Sequence, residues 1–134
     1  MALLTRDTGE LTFADGFVLT AGLAVGELAV QLDGRLDAVV RLPSHAVAGG
    51  RIVPICTVES GTLHSVALCP SAVGGKSAVS PSRQRSFLFA RLGLRDPFPD
   101  TLESVCIYCP FGEILIGSDP HTGRAEARLM YAVR

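Results

Sequence analysis

Four cysteines are the residues of this chain best suited to hold a metal. Cys106-Ile107-Tyr108-Cys109 is a CxxC, and Cys56 and Cys69 lie further upstream. Four thiolates can surround zinc as a tetrahedron. Two features oppose that use here. The residues between Cys106 and Cys109 are strand formers, and a spacing of three along a strand sends two thiols to opposite faces. The spacing from Cys56 to Cys69 is not that of a second CxxC. A redox CxxC, in turn, draws its low thiol pKa from a helix N-terminus, and Pro110-Phe111-Gly112 is not a helix start. The expectation is four ordinary buried thiols and no metal. A zinc-stabilised domain built on Cys56, Cys69, Cys106 and Cys109 is the alternative.

Three further patterns carry a chemical suggestion. Gly74-Gly75-Lys76-Ser77 ends like a phosphate-binding loop, but the first glycine of that motif falls on Pro70 and Pro81 interrupts the helix that should follow. A plain loop is expected. Asp7-Thr8-Gly9 matches the aspartic-protease triplet, and Ile114-Leu115-Ile116-Gly117 is like the apolar-glycine element that supports such a loop. That chemistry needs two carboxylates sharing a proton, hence a dimer of chains carrying one triplet each. Arg6 occupies a position where an apolar strand residue is expected, and Asp-Thr-Gly is good turn chemistry in its own right. A dimeric aspartic-protease-like hydrolase around Asp7 is the second alternative. Of the histidines, His45 reads as a loop residue, His64 as mid-strand and His121 as part of a turn. No G-x-S-x-G elbow accompanies them.

The elements that must position these groups are mostly strands. Ser104 to Val133 reads as strand, strand, turn, strand. In the last of these Ala125, Ala127, Leu129, Tyr131 and Val133 alternate with Arg124, Glu126, Arg128, Met130 and Arg134. The period of two gives one face to a core and the other mostly to water. Ala2–Thr5 and Leu11–Phe13 predict an N-terminal hairpin around Asp7-Thr8-Gly9. Asp15-Gly16 predicts a turn, with the strand continuing through Phe17-Val18-Leu19. Thr20 to Leu32 predicts a short helix on Leu23, Leu28 and Leu32, capped by Thr20 and weakened by Gly22 and Gly26. Leu36 to Leu42 alternates as a strand, and Pro43 to Gly50 predicts a loop. Arg51–Val58 and Thr62–Cys69 predict a hairpin around Glu59-Ser60-Gly61, with Pro54 at an edge or bulge. Pro70 to Ser80 predicts a surface loop. Ser80-Pro81 starts a helix that runs to Leu92 and stops at Gly93. Its arginines, with the nearby Arg95, form a basic flank of Arg83, Arg85, Arg91 and Arg95, expected to face solvent or an acidic protein.

The 134 residues predict one domain spanning 1–134. Its class is α+β: a mainly antiparallel sheet of about six to eight strands with one or two helices packed on one face. With 48% apolar and 19% charged residues and a net charge of −1, the chain has a globular composition. It lacks the clustered basic footprint that nucleic acid calls for. Arg6, Asp7 and Glu10 interrupt any early secretory pattern, and no stretch reaches membrane-span length. A cytoplasmic location is expected, without membrane association.

Thr8-Gly9-Glu10-Leu11-Thr12-Phe13 resembles the opening of small, mostly uncharacterised proteobacterial proteins, as do Phe111-Gly112-Glu113, Asp119-Pro120, Gly123 and Tyr131 near the other end. Phe111 stands where that pattern has Trp. Some proteins of this look are immunity partners of bacterial toxins. The resemblance implies a small α+β domain that binds a protein, and it transfers no catalytic residue. The expected function is a non-enzymatic protein-binding module, an immunity-type inhibitor, with no catalytic, cofactor-binding or metal residue. Its partner is another protein, docked on the open face of the sheet or on an edge strand.

Overall fold

Residues 3–24 and 26–132 are described by a computed structural model. Ala2, Val133 and Arg134, expected at strand ends from the alternation, lie outside the described residues. Two antiparallel hairpins set the frame. β5 (Gly50–Glu59) and β6 (Thr62–Val73) form the longer one, turning at Ser60-Gly61. β7 (Val105–Cys109) and β8 (Gly112–Ser118) form the other. β9 (Ala125–Tyr131) lies between them and pairs with both β6 and β8. β3 (Ala38–Arg41) and β4 (His45–Val47) both pair with β5, completing a seven-stranded sheet in the order β3-β5-β6-β9-β8-β7, with β4 beside β5. All of its strand pairs are antiparallel. A two-stranded hairpin, β1 (Leu11–Thr12) and β2 (Val18–Leu19), stands apart from this sheet.

The alternation of β9 holds as its sequence predicts. Ala125, Ala127, Leu129 and Tyr131 are buried, while Arg128 between them is exposed. Register carries this face across the sheet through Val66, Leu68, Ile114 and Ile116, all buried. α1 (Gly26–Leu32) and α2 (Pro81–Leu92) cover the same face. Leu28 and Leu32 of α1, and Leu88, Phe89 and Leu92 of α2, belong to one continuous core with those strand residues. The fold is therefore α+β with helices on one face.

α2 begins and ends where its sequence places it. Ser80 caps it by accepting a hydrogen bond from the Arg83 N–H, Pro81 opens it, and left-handed Gly93 closes it. Gln84 fastens it to the sheet by accepting the Ala125 N–H at 2.9 Å, deep in the core. Arg85 does not lie on a solvated flank, contrary to the expectation for this helix. Its side chain is 2% exposed and forks onto Asp96, at 2.7 and 2.9 Å, while also donating to the Glu103 carbonyl. The expected flank fails because residues 94–104 fold back over this face of α2 and bring Asp96 with them. Arg91 likewise turns inward to the Ala48 carbonyl. Of the four, Arg83 and Arg95 are exposed.

Other boundaries shift for physical reasons. Pro43 to Gly50 contains β4, and Pro54 explains why β3 and β4 are separate. Its carbonyl accepts the Leu42 N–H at 3.0 Å, but it has no N–H to return, so the neighbouring strand breaks beside it. The bulges of this hairpin lie elsewhere, between Arg51 and Ile52 and between Thr57 and Val58. Pro70 to Val73 extends β6 instead of opening a surface loop. α1 starts at Gly26, not near Thr20, and Leu23 is exposed. The N-terminal pairing is reduced to one bridge, Leu4 to Leu11, with β2 supplying the partner for β1.

Arg85 and Asp96 give the first testable expectation. Removing Asp96 leaves the buried Arg85 guanidinium with the Glu103 carbonyl as its remaining partner, and removing Arg85 leaves the part-buried Asp96 carboxylate without its cation. Breaking such a pair costs about 3–5 kcal/mol. Asp96→Ala and Arg85→Ala are each expected to lower unfolding free energy by that amount in urea. The hydrogen-bonded Arg85 guanidinium holds the Asp96 carboxyl below the usual carboxylate range. A depressed carboxylate stabilises the fold at pH above its unfolded value, roughly 3.9, and loses that contribution as pH falls through the folded value. Titrating stability downward from pH 6 should show this loss in the wild type, and a shallower acid slope in Asp96→Asn.

Candidate functional site

The alternation that builds the core also sorts the candidate residues. Cys56 pairs with Val66, which pairs with Leu129, then Ile114, then Ile107. Cys56 and Cys109 thus face the helices. Cys69 and Cys106 take the opposite parity, beside Ala67 and Leu115, and face away. Cys69 and Cys106 are also three strand spacings apart, about 14 Å. The four sulfurs do not converge, and all four cysteines are free. Among the described residues, no three His, Cys, Asp or Glu side chains are grouped to hold a metal ion. Burial pushes the Cys56 thiol up to about 12 and raises Cys69 as well. Only Cys56 is buried as expected; Cys69 and Cys109 are half-buried, and Cys106 is exposed because its parity turns it away from the helices on an edge strand. A thiol titration of native protein is expected to modify Cys106 first and Cys56 only on unfolding. Reaction of Cys56 at the rate of Cys106 would contradict its burial.

Gly74 and Gly75 both have positive φ, and Val73 and Lys76 exchange both backbone hydrogen bonds across them. The Gly-Lys-Ser segment is a tight turn closed on itself, so its N–H groups form no phosphate cradle. His121 lies in an exposed turn, with its backbone N–H bonded to Asp119. His45 is more enclosed. It stacks on Phe17 at 4.0 Å, and its Nδ1 lies 3.0 Å from Asp15. Glu27 stands 3.4 Å from its Nε2, at ion-pair distance without hydrogen-bond alignment. Burial opposes ionisation of Asp15. Hydrogen bonds from the Ala46 and Phe17 N–H groups and from His45 outweigh it and keep the carboxyl low. This knot ties β4 to the first hairpin and to α1.

One cleft collects the remaining candidates. It has a volume of about 700 Å³ and lies at the end of the sheet where the β5–β6 and β7–β8 turns meet the end of β9. Asp7 and Thr8 line it from the N-terminal turn, and Glu59, Ser60, Thr62 and His64 from the β5–β6 hairpin. Leu63, Phe111 and Tyr131 supply apolar wall. His64 owes its position to a bulge. Thr57 pairs with Ser65 and Val58 with Leu63, so His64 is the extra residue without a partner. Bulges re-aim side chains in this way, and His64 Nδ1 comes to 3.7 Å from Glu59. Sequence periodicity places His64 simply in mid-strand, because a bulge is a property of the paired strand as well. Glu59, Phe111 and Tyr131 carried no site signal of their own.

Asp7-Thr8-Gly9 acquires a structural explanation here. The Tyr131 hydroxyl donates to the Gly9 carbonyl at 2.9 Å, and its phenol stays protonated because burial raises its pKa. Gly9 has φ +77°, and a Cβ there would stand 2.6 Å from the Tyr131 ring and 2.8 Å from Phe111. The triplet is the turn that lets two aromatic rings close under the N-terminal segment. Gly117 lies at the far end of β8, opposite Glu126, whereas Gly112 is the residue beside Tyr131. The apolar-glycine element therefore does not support the Asp7 turn. Gly9→Ala combines left-handed strain with overpacking and is expected to destabilise the fold by about 2–4 kcal/mol, measured by urea unfolding. A neutral result would show that the aromatic pair can open.

Compared with known proteins, the chain matches no family model, no curated protein and no solved structure. Among the described residues, no helix is long and apolar enough to cross a membrane.

Proposed function

We propose that this chain is a non-enzymatic protein-binding module, of the kind represented by immunity-type inhibitors of bacterial toxins. The observation that carries the reading is the face of the sheet turned away from the helices. Ser65 and Ala67 at its centre are small and buried, and exposure rises toward both edges. Val39 is 68% exposed at one edge, and Tyr108 is 79% exposed at the other, opposite Glu113 and with Leu115 on the same face two residues further along β8. Arg41 and Arg128 on this face are also exposed. Charges are interleaved with these apolar residues, Arg128 standing between Ala67 and Leu115 and Glu113 between Met130 and Tyr108, and such a mixed apolar and charged face suits a protein partner.

The groups best placed for chemistry have structural occupations. Asp96 is bound to Arg85, the Tyr131 hydroxyl to Gly9, and the Cys56 thiol is buried. With Arg85 and Arg91 turned inward, the exposed arginines of the helix are too few for a nucleic-acid footprint. Four free thiols suit a reducing cytoplasm, where we place the complex. The resemblance at Thr8–Phe13 and Phe111–Glu113 supports the finer assignment to an inhibitor of a toxic partner.

The test compares wild type with a Tyr108→Arg, Leu115→Arg variant, both checked for folding by circular dichroism. Chemical crosslinking in the native host is followed by native mass spectrometry of the purified species. The expected outcome is one stoichiometric complex with a second protein that wild type forms and the variant loses. An unaccompanied wild-type chain, or identical species from both proteins, would refute the assignment of this face.

A further inference from the structure

Resting on the protein-binding reading, we propose that the cleft at the end of the sheet receives an arginine side chain of the partner. Asp7 and Glu59 line it from two different turns, and among the described residues no lysine or arginine does. The two carboxylates make the described part of this lining receptive to a cation. The large apolar residues of its lining are Leu63, Phe111 and Tyr131. The Tyr131 hydroxyl is engaged by the Gly9 carbonyl, so this ring offers surface and no free proton. Thr8, Ser60 and Thr62 add hydroxyl acceptors around the opening.

Such a site asks for a cation that is flat, weakly hydrated and rich in donors. A guanidinium presents five N–H groups in one plane, so it can address carboxylates that approach from separate turns together with nearby hydroxyls. Its aliphatic stem and its plane pack on apolar and aromatic wall. An ammonium is a compact, strongly hydrated point charge and uses this arrangement less well. The volume exceeds one side chain and leaves room for the neighbouring residues of the partner's chain. The bulge at His64 completes the opening, since a regular strand would direct residue 64 elsewhere and leave Glu59 without its neighbour.

The probe is N-acetyl-arginine methylamide, titrated into the ¹⁵N-labelled full chain and followed by amide chemical shifts. The lysine and glutamine counterparts are run in parallel. Saturable shifts in the millimolar range are expected for Asp7, Thr8, Ser60, Thr62 and Phe111 with arginine. The lysine compound should be weaker and the glutamine compound silent. Asp7→Asn with Glu59→Gln, whose fold is checked from the same spectra, should weaken arginine roughly tenfold or more, about 1.4 kcal/mol. Silence with arginine, equal response to glutamine, or a response unchanged in the double variant would each overturn the proposal. Equal binding of lysine would overturn the choice of arginine. The sheet face is tested separately. A partner complex that survives the double variant while the arginine titration is blank rejects the cleft and keeps the module. An arginine response in a chain that forms no complex rejects the module and keeps the cleft.

Discussion

One-sided burial of a long antiparallel sheet is the constraint on which everything else in this molecule depends. A slip of one residue in any strand would exchange the core side chains for the solvent-facing ones. Register is therefore fixed by the apolar face, and the same register decides where every reactive group goes. It sends Cys56 and Cys109 toward the helices and Cys69 and Cys106 away from them. It also fixes which side of the sheet remains available for contact.

Polar groups inside the covered layer are there to hold that layer in place. Arg85 is a cation in a nearly dry position, tolerable because Asp96 and the Glu103 carbonyl meet its donors. Gln84 gives its side-chain oxygen to a strand N–H that the neighbouring helix would otherwise bury unmet. At the other end, Tyr131 reaches Gly9 across 122 residues of sequence and closes the N-terminal turn onto the last strand. Helix, connection and N-terminal segment are each secured by polar contacts set among apolar residues.

Much of the fold was legible in the sequence because it rests on local chemistry. Ser80-Pro81 and Gly93 bound α2, and the alternation from Ala125 to Tyr131 defines the buried face of β9. The failures share a different cause. Arg85 reads as a surface residue because four arginines near one another suggest a solvated flank, whereas its burial depends on Asp96 arriving from another segment. β4 is hidden inside a loop-like run because its existence depends on β5. The cleft was the least legible part. Its histidine is aimed by a mismatch between two strands, and its walls are residues that look like ordinary core.

The break at Pro54 makes the two margins of the sheet unlike. On that side the margin is two short pieces, β3 and β4, offset around a residue with no donor, with Arg41 and Pro43 at the join. On the other, β7 is an uninterrupted five-residue strand, Val105–Cys109, without charge or proline. Backbone pairing can be offered by one margin and is discouraged by the other. The molecule therefore holds a regular template for strand addition along one margin, and the break at Pro54 interrupts the corresponding run of donors along the other.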